Sequence, residues 1–187
     1  NNDMKTYLKY SGLAVQSHRG GSLESPENTL ESFSYSQSIG CKYIETDVQI
    51  SLDGIPYIFH DETLTRILKK DIIFSSLHSS EIDKLSIFNN HPIPTLEKAL
   101  NDFPKMFFQI DVKTDEVAIP ALEIIKKCNA VDRVCIASFN SKRLNKVYKN
   151  CPEVCLSMGP IEVFKLLLAS FNLYNKDIRG DCLQVPI

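Results

Sequence analysis

The most constraining feature of this chain is a rhythm. Short apolar runs that read as strands alternate with stretches of helical periodicity, and the stable solution for that pattern is a largely parallel sheet covered by helices. The run Leu13 to Gln16 ends at Ser17-His18-Arg19-Gly20-Gly21, so a strand delivers polar residues into a glycine-bearing loop. Ser25 as N-cap, Pro26 at the first helical position, Leu30 and Phe33 at helical spacing and Gly40 as terminator predict a helix. A strand follows over Lys42 to Ser51. Asp53-Gly54 then turns the chain, and Pro56 to Phe59 is a short apolar strand ending at His60-Asp61.

Residues 62–93 are longer and more polar than a simple crossover and read as an insertion. The alternation resumes with helix Thr95 to Phe103, strand Met106 to Lys113, helix Val117 to Cys128, strand Arg133 to Ser138 and helix Ser141 to Asn150. Strand Val154 to Ser157, a helix opened by Pro160 and strand Cys182 to Val185 complete the series. The helical stripes Leu96/Leu100/Phe103, Ile119/Leu122/Ile125 and Phe164/Leu168/Phe171 are expected to be core. No glycine-fingerprint nucleotide turn occurs, and right-handed crossovers would close parallel βα units into a barrel. An eight-stranded barrel takes about 250 residues, whereas this chain has 187. The expectation is one domain over 1–187, either a TIM (β/α)8 barrel whose last βα unit or units lie outside the chain or an open sheet.

Composition narrows the partners. Lys plus Arg number 21 against 23 for Asp plus Glu, a net charge of -2, so nothing steers the whole surface toward nucleic acid or an anionic membrane. Hydrophobic residues at 43% suffice for a packed core, and no apolar run approaches the roughly 18 residues of a membrane span. Asn1 to Lys5 show no charged start followed by an apolar stretch. The six cysteines, Cys41, Cys128, Cys135, Cys151, Cys155 and Cys182, include no C-x-x-C pair. They are expected to be reduced, buried thiols, which favours a cytoplasmic location.

In a βα barrel, reactive groups sit where strands end. Strand alternation puts Glu45 and Asp47 on one face, and Gln109, Asp111 and Lys113 on one face of another strand. Close carboxylates repel unless a cation sits between them, and an all-oxygen set suits calcium or magnesium. Asp111 offers a third carboxylate and Lys113 a positive charge for an anionic ligand. A solvent-facing polar strip is the plainer reading of Glu45 and Asp47, but it belongs to antiparallel sheets. His18 and His60 both directly follow strands, which fits an acid and a base on opposite sides of a bound group. Arg19 offers a fork for phosphate, beside Gly20 and Gly21, whose backbone can approach closely. His78 and His91 fall in the insertion and receive no role.

These residues carry a resemblance. His18-Arg19-Gly20, Pro26-Glu27-Asn28-Thr29, Glu45-Thr46-Asp47, Asp53-Gly54, His60-Asp61, Pro94-Thr95-Leu96 and Ile110-Asp111-Val112-Lys113 resemble, in order, the glycerophosphodiester phosphodiesterase family. The resemblance implies a TIM barrel with a small insertion after the third strand, a divalent metal, and hydrolysis of glycerophosphodiesters to sn-glycerol 3-phosphate and an alcohol. It implies Glu45, Asp47 and Asp111 as metal ligands, with Asp111 standing where the family usually has Glu. His18 and His60 become the acid and base pair, Arg19 and Lys113 the phosphate holders, and Glu27 and Asn28 residues that line or brace the mouth. The attacking hydroxyl would be the glycerol 2-OH, giving a cyclic phosphate that water opens. Two rivals remain: a lysophospholipase D or sphingomyelinase-D-like activity, with Ile72, Ile73, Phe74, Leu77 and Phe88 forming an acyl groove, and a non-catalytic phosphate-binding module.

Overall fold

A computed structural model describes residues 4–9, 16–21, 26–171 and 180–182. Strands β1 (Gln16–His18), β2 (Tyr43–Ile50), β6 (Phe107–Val112), β7 (Val134–Ala137) and β8 (Cys155–Leu156) lie side by side in that order, all parallel. Helices α4 (Leu96–Asp102), α5 (Asp115–Lys127), α6 (Ser141–Asn150) and α7 (Pro160–Ser170) alternate with them. The result is an α/β architecture of the partial-barrel kind, as the rhythm predicts. A parallel bridge joins Ser157 to Cys182 beside β8. Leu13 to Val15, the expected N-cap Ser25 and the strand residues beyond Cys182 lie outside the described residues.

Strand alternation separates two chemistries. Ile44, Val48, Phe108, Ile110, Val112, Val134 and Ile136 point to one side and pack with Leu96, Leu100, Val117, Leu122, Ile125, Leu144 and Val147 of the helices. Each such buried side chain contributes about 1.5–3 kcal/mol. Tyr43, Glu45, Asp47 and Gln49 of β2 point the other way, beside Phe107, Gln109 and Asp111 of β6. Tyr7, in the 3-10 turn Thr6–Leu8, meets Tyr43 edge-on, with ring centroids 5.3 Å apart, and closes the bottom of that inner face. The inner face is therefore apolar at one end and acidic at the other.

Three sequence expectations change. Helix α1 (Leu30–Ser38) starts four residues after Pro26. Its N-cap is Thr29, whose Oγ1 accepts from Ser32 N while the Ser32 hydroxyl accepts from Thr29 N, so a capping box overrides the proline. Strand β3 (Pro56–Ile58) runs antiparallel to β2, with Val48 opposite Ile58, because the Asp53-Gly54 turn is far too short for a parallel crossover. The Phe164/Leu168/Phe171 stripe of α7 is not core among the described residues, since Phe164 is 60% and Phe171 73% exposed.

Residues 62–93 build a small structure of their own. Helices α2 (Thr65–Leu68) and α3 (Ser79–Ile82), a 3-10 turn Phe74–Ser76 and the hairpin β4 (Ser86–Ile87) and β5 (His91–Pro92) surround a second apolar cluster. Tyr57, Phe59, Leu64, Phe74, Ile82, Ile87 and Ile93 form it, with Phe59 stacked on Phe74 at 4.9 Å.

Candidate active site

The loop after β1 is shaped by backbone that side chains resist. Arg19, Gly20 and Gly21 have φ of +48°, +78° and +92°, and a Cβ on Gly20 would stand 2.3 Å from Ser32 Oγ and 2.7 Å from the Phe33 ring. Helix α1 holds this loop: Ser36 Oγ donates to Gly20 O at 2.9 Å. The loop in turn seats the start of α1, since Asn28 N donates to Arg19 O at 2.9 Å. His18 and Arg19 are thereby delivered to the acidic end of β2.

Glu45 and Asp47 are buried, at 8% and 3% exposure, which excludes a solvent-facing strip. Asp47 lies opposite Asp111 in the β2–β6 register. His18 Nδ1 is 2.6 Å from Glu45 Oε2, and the Arg19 amide donates to the same oxygen at 3.3 Å. Lys113 Nζ stands 3.0 Å from Asp47 Oδ1 and 3.9 Å from Asp111 Oδ2. Asn28, at φ +56°, is buried beneath them. Its Oδ1 accepts from Thr46 Oγ1 at 2.8 Å, and its Nδ2 is 3.5 Å from Asp47 Oδ2.

The second histidine reaches the same mouth by another route. Both β1 and β3 pair with the same edge of β2, because β6 occupies the other along Tyr43 to Val48. His60 follows β3; its carbonyl accepts from Gln49 Nε2 at 3.0 Å, and its Nδ1 is 2.5 Å from Asp61 Oδ1. Arg66 of α2 joins this side to the first: its Nε donates to Asp61 Oδ2 at 2.7 Å, and its Nη2 pairs with Glu27. Glu27 also binds Arg19 Nη1 at 2.8 Å. Asp61 enters the sequence reading only within the His60-Asp61 motif, with no role of its own, and Arg66 stands out as no more than a surface charge. The one available signal is Asp61 directly following His60; nothing in the spacing brings Arg66 back to Glu27.

The charges respond accordingly. Burial, then the nearby Asp47 charge, pushes the Glu45 carboxyl up, against the opposing pull of His18 and the Arg19 amide. Burial likewise raises Asp111, although Lys113 opposes it. At Glu27 burial also pushes upward, but hydrogen bonds from Arg19 and Arg66 overcome it and the net shift is down. Asp61 is lowered in the same way by Arg66 and His60.

The three expected metal ligands share one face but do not close on a point. Among the described residues the one group of three such ligand atoms lying mutually within 4.8 Å is Cys135, Cys155 and Cys182. Glu45 is held by His18 and Asp47 by Lys113. The donor chemistry fits a hard divalent cation nonetheless, because all three ligands are carboxylates on one largely buried face, and burial holds Glu45 and Asp111 above the usual carboxylate range. The expected phosphate holders are also engaged. Arg19 is committed to Glu27, and its Nε, 3.5 Å from Asp47 Oδ2, is buried without a hydrogen-bond partner among the described residues. Thus His18, His60, Glu45, Asp47, Asp111, Lys113, Arg19, Glu27 and Asn28 converge on one end of the sheet.

Comparison with known proteins bears on the family and the fold. The sequence profile of the glycerophosphoryl diester phosphodiesterase family matches residues 18–156. A probable glycerophosphodiester phosphodiesterase of Mycobacterium tuberculosis is 32% identical over 96% of this chain and 71% of its own length. A human lysophospholipase D is 27% identical over 91% of the chain and 60% of its own length. An Oleispira antarctica phosphodiesterase, solved with the product sn-glycerol-3-phosphate, superposes with a TM-score of 0.75 at 27% identity, over 86% of this chain and 72% of that one. The chain therefore spans about 60–72% of the length of these relatives.

Proposed function

The chain belongs to the glycerophosphoryl diester phosphodiesterase family, and from that premise we propose that it hydrolyses glycerophosphodiesters to sn-glycerol 3-phosphate and an alcohol at the acidic end of β2 and β6. One observation carries the reading. Each histidine has its Nδ1 against a carboxylate, His18 on Glu45 at 2.6 Å and His60 on Asp61 at 2.5 Å. Such a partner fixes the tautomer with the proton on Nδ1, and Nε2 becomes the atom that exchanges protons with a substrate.

Two imidazoles so prepared divide the proton work. One Nε2 takes the proton of the attacking hydroxyl, and the other, protonated, gives its proton to the oxygen of the departing alcohol. Opening of the resulting cyclic phosphate by water runs the same transfers in reverse, which restores both rings. Lys113 and Arg19 supply positive charge for the phosphoryl oxygens, and Asn28 with Thr46 fixes Asp47 from below. Glu45, Asp47 and Asp111 would hold a divalent cation, calcium or magnesium, which when bound adds Lewis-acid neutralisation of phosphoryl charge. Glu27 and Arg66 brace Arg19 and Asp61 and keep water-exposed charge paired around the mouth.

The same reading takes 1–187 as one barrel-type domain that carries the site, with 62–93 as an insertion within it that contributes Arg66. Among the described residues no helix is long and apolar enough to cross a membrane. A second reading, a lysophospholipase D activity, has support in the name of the human relative and in exposed Ile73 (58%) and Phe88 (37%) on the insertion. Phe74 and Leu77 do not serve it, since Phe74 is fully buried and Leu77 packs on the insertion's own core.

The test is release of glycerol 3-phosphate from glycerophosphocholine with calcium or magnesium, repeated after chelation, with lysophosphatidylcholine in a parallel arm. Chelator-sensitive release from the soluble diester supports the main reading. Choline release from the lysolipid alone selects the second, and a folded, cation-loaded chain inert toward both overturns hydrolysis.

A further inference from the structure

Three thiols meet on the inner face of the sheet, level with Gln109 and Glu45 in the register, with Cys135 two strands from Glu45. Cys135 of β7 and Cys155 of β8 are direct partners in the parallel register, and Cys182 joins them from the segment that bridges Ser157. Cys135 and Cys155 are buried and Cys182 is half-buried. Cys135 Sγ is 3.6 Å from Cys182 Sγ, and all three sulfurs lie within 4.8 Å of one another. Tyr7, Tyr43, Leu8 and Phe107 pack around them.

The thiol hydrogen bond between Cys135 and Cys182 already brings the sulfurs to within about 1 Å of the spacing they would have around one ion. Metal–sulfur bonds of about 2.3 Å, in trigonal or tetrahedral geometry, place their sulfurs roughly 3.8–4.0 Å apart. A bond between Cys135 and Cys182 fits less well, because β7 and the bridge at Cys182 flank β8. Two strand spacings set the Cα atoms about 9–10 Å apart in a flat sheet, against a disulfide reach of about 7 Å.

The third ligand is also anchored by independent contacts. Met158 N donates to Cys182 O at 2.7 Å, and Asp181 N donates to Leu156 O at 2.7 Å. The Asp181 carboxylate accepts from Leu156 N at 2.9 Å and pairs with Lys5 Nζ at 2.8 Å. Lys5 Nζ also donates to Val154 O at 2.6 Å. Cys182 is thus pinned against β8 with its sulfur turned toward the other two, as a preorganised ligand requires.

We propose that Cys135, Cys155 and Cys182 form a buried three-thiolate site for a thiophilic cation of the zinc or copper(I) kind, separate from the oxygen site that serves hydrolysis. Soft thiolates select such ions, whereas the carboxylate end selects hard ones. The ion would tie β7, β8 and the Cys182 segment together through three ligand bonds. Its role is structural, and it holds whether or not the hydrolase reading does.

The test uses the full chain, fully reduced, titrated anaerobically with zinc and, separately, with copper(I) against a competing chelator. Cobalt(II) serves as the spectroscopic stand-in for zinc. One equivalent of zinc or copper(I) should bind, and cobalt should show thiolate charge-transfer absorption. Disturbing a ligand's supporting hydrogen bonds alone costs 10–100-fold in affinity, so Cys155→Ser should weaken binding by at least about 100-fold. Cys182→Ser, at a half-buried position that tolerates change better, should do the same if Cys155→Ser fails to fold. Cys41→Ser and Cys128→Ser should bind like the parent. Absence of stoichiometric binding to the folded, reduced chain, or binding indifferent to both ligand variants, would overturn the site. So would a native mass two hydrogens short with no metal taken up, since that reports a disulfide.

Discussion

Each histidine stands in its own surroundings, and the two should respond differently to change. His18 has a side chain 66% exposed and tied to Glu45, whereas His60 is 30% exposed and tied to Asp61. If both move protons, His18→Ala and His60→Ala should each lower kcat by about 10²–10⁴-fold while the thermal midpoint scarcely moves; a parental kcat in either would remove that residue from the acid/base pair. Arg66 offers a test that reads pH. Hydrogen bonds from Arg66 and Arg19 hold Glu27 low, and those from Arg66 and His60 hold Asp61 low, in each case over the opposing effect of burial. Carboxyls lowered on folding add stability that is present above their unfolded values, near 4, and is lost as pH falls through their folded values. Arg66→Gln should therefore unfold at lower urea than the parent at pH 7, with the gap closing below about pH 4. A gap that stays constant down to pH 3 would show that the clamp is not ionic. The sequence makes His18, His60, Glu45 and Asp47 legible because strand period and strand ends mark them. Arg66 is illegible, since its contact with Glu27 spans 39 residues and two elements.

At the scale of elements, the loop between β1 and α1 sets how the site is assembled. Gly20 combines φ +78° with a space already filled by Ser32 and Phe33, so alanine there meets both backbone strain and a clash. Gly20→Ala should cost about 1–3 kcal/mol, which for a chain of this size is a fall of about 3–10 °C in Tm. Gly54 is the control: it has φ +85°, but nothing lies within 4 Å of its absent Cβ, and asparagine tolerates that backbone. Gly54→Asn should move Tm by less than half as much in the same scanning experiment. Equal shifts would mean that backbone conformation alone, not the packing of α1 on the loop, explains Gly20. The parallel strands were readable from period and punctuation. The start of α1 was not, because Pro26 satisfies a local rule that the Thr29–Ser32 box outweighs. The antiparallel turn into β3 was written in the two-residue Asp53-Gly54 punctuation, yet the βα rhythm on either side hides it.

For the whole molecule, the inner face of the sheet carries hard donors on β2 and β6 and soft donors on β7, β8 and the Cys182 segment, and that division predicts how folding couples to ions. A ligand that binds only the folded chain stabilises it by RT ln(1 + [L]/Kd), about 2.7 kcal/mol at a hundredfold excess over Kd. For a domain of this length that corresponds to a rise of roughly 5–10 °C in Tm. Calcium or magnesium should produce such a rise through Glu45, Asp47 and Asp111, whose charge the folded chain otherwise balances with Lys113, Arg19 and His18. The Asp47→Asn chain, which lacks the anion that faces Lys113 and Arg19, should start with a Tm at or below the parent's and should gain little from either cation. Differential scanning with and without chelator measures both effects at once. A chain whose Tm ignores calcium and magnesium while catalysis still depends on them would place the hard cation with the substrate, not with the folded protein, and the three carboxylates would then be read as partners for Lys113 and Arg19.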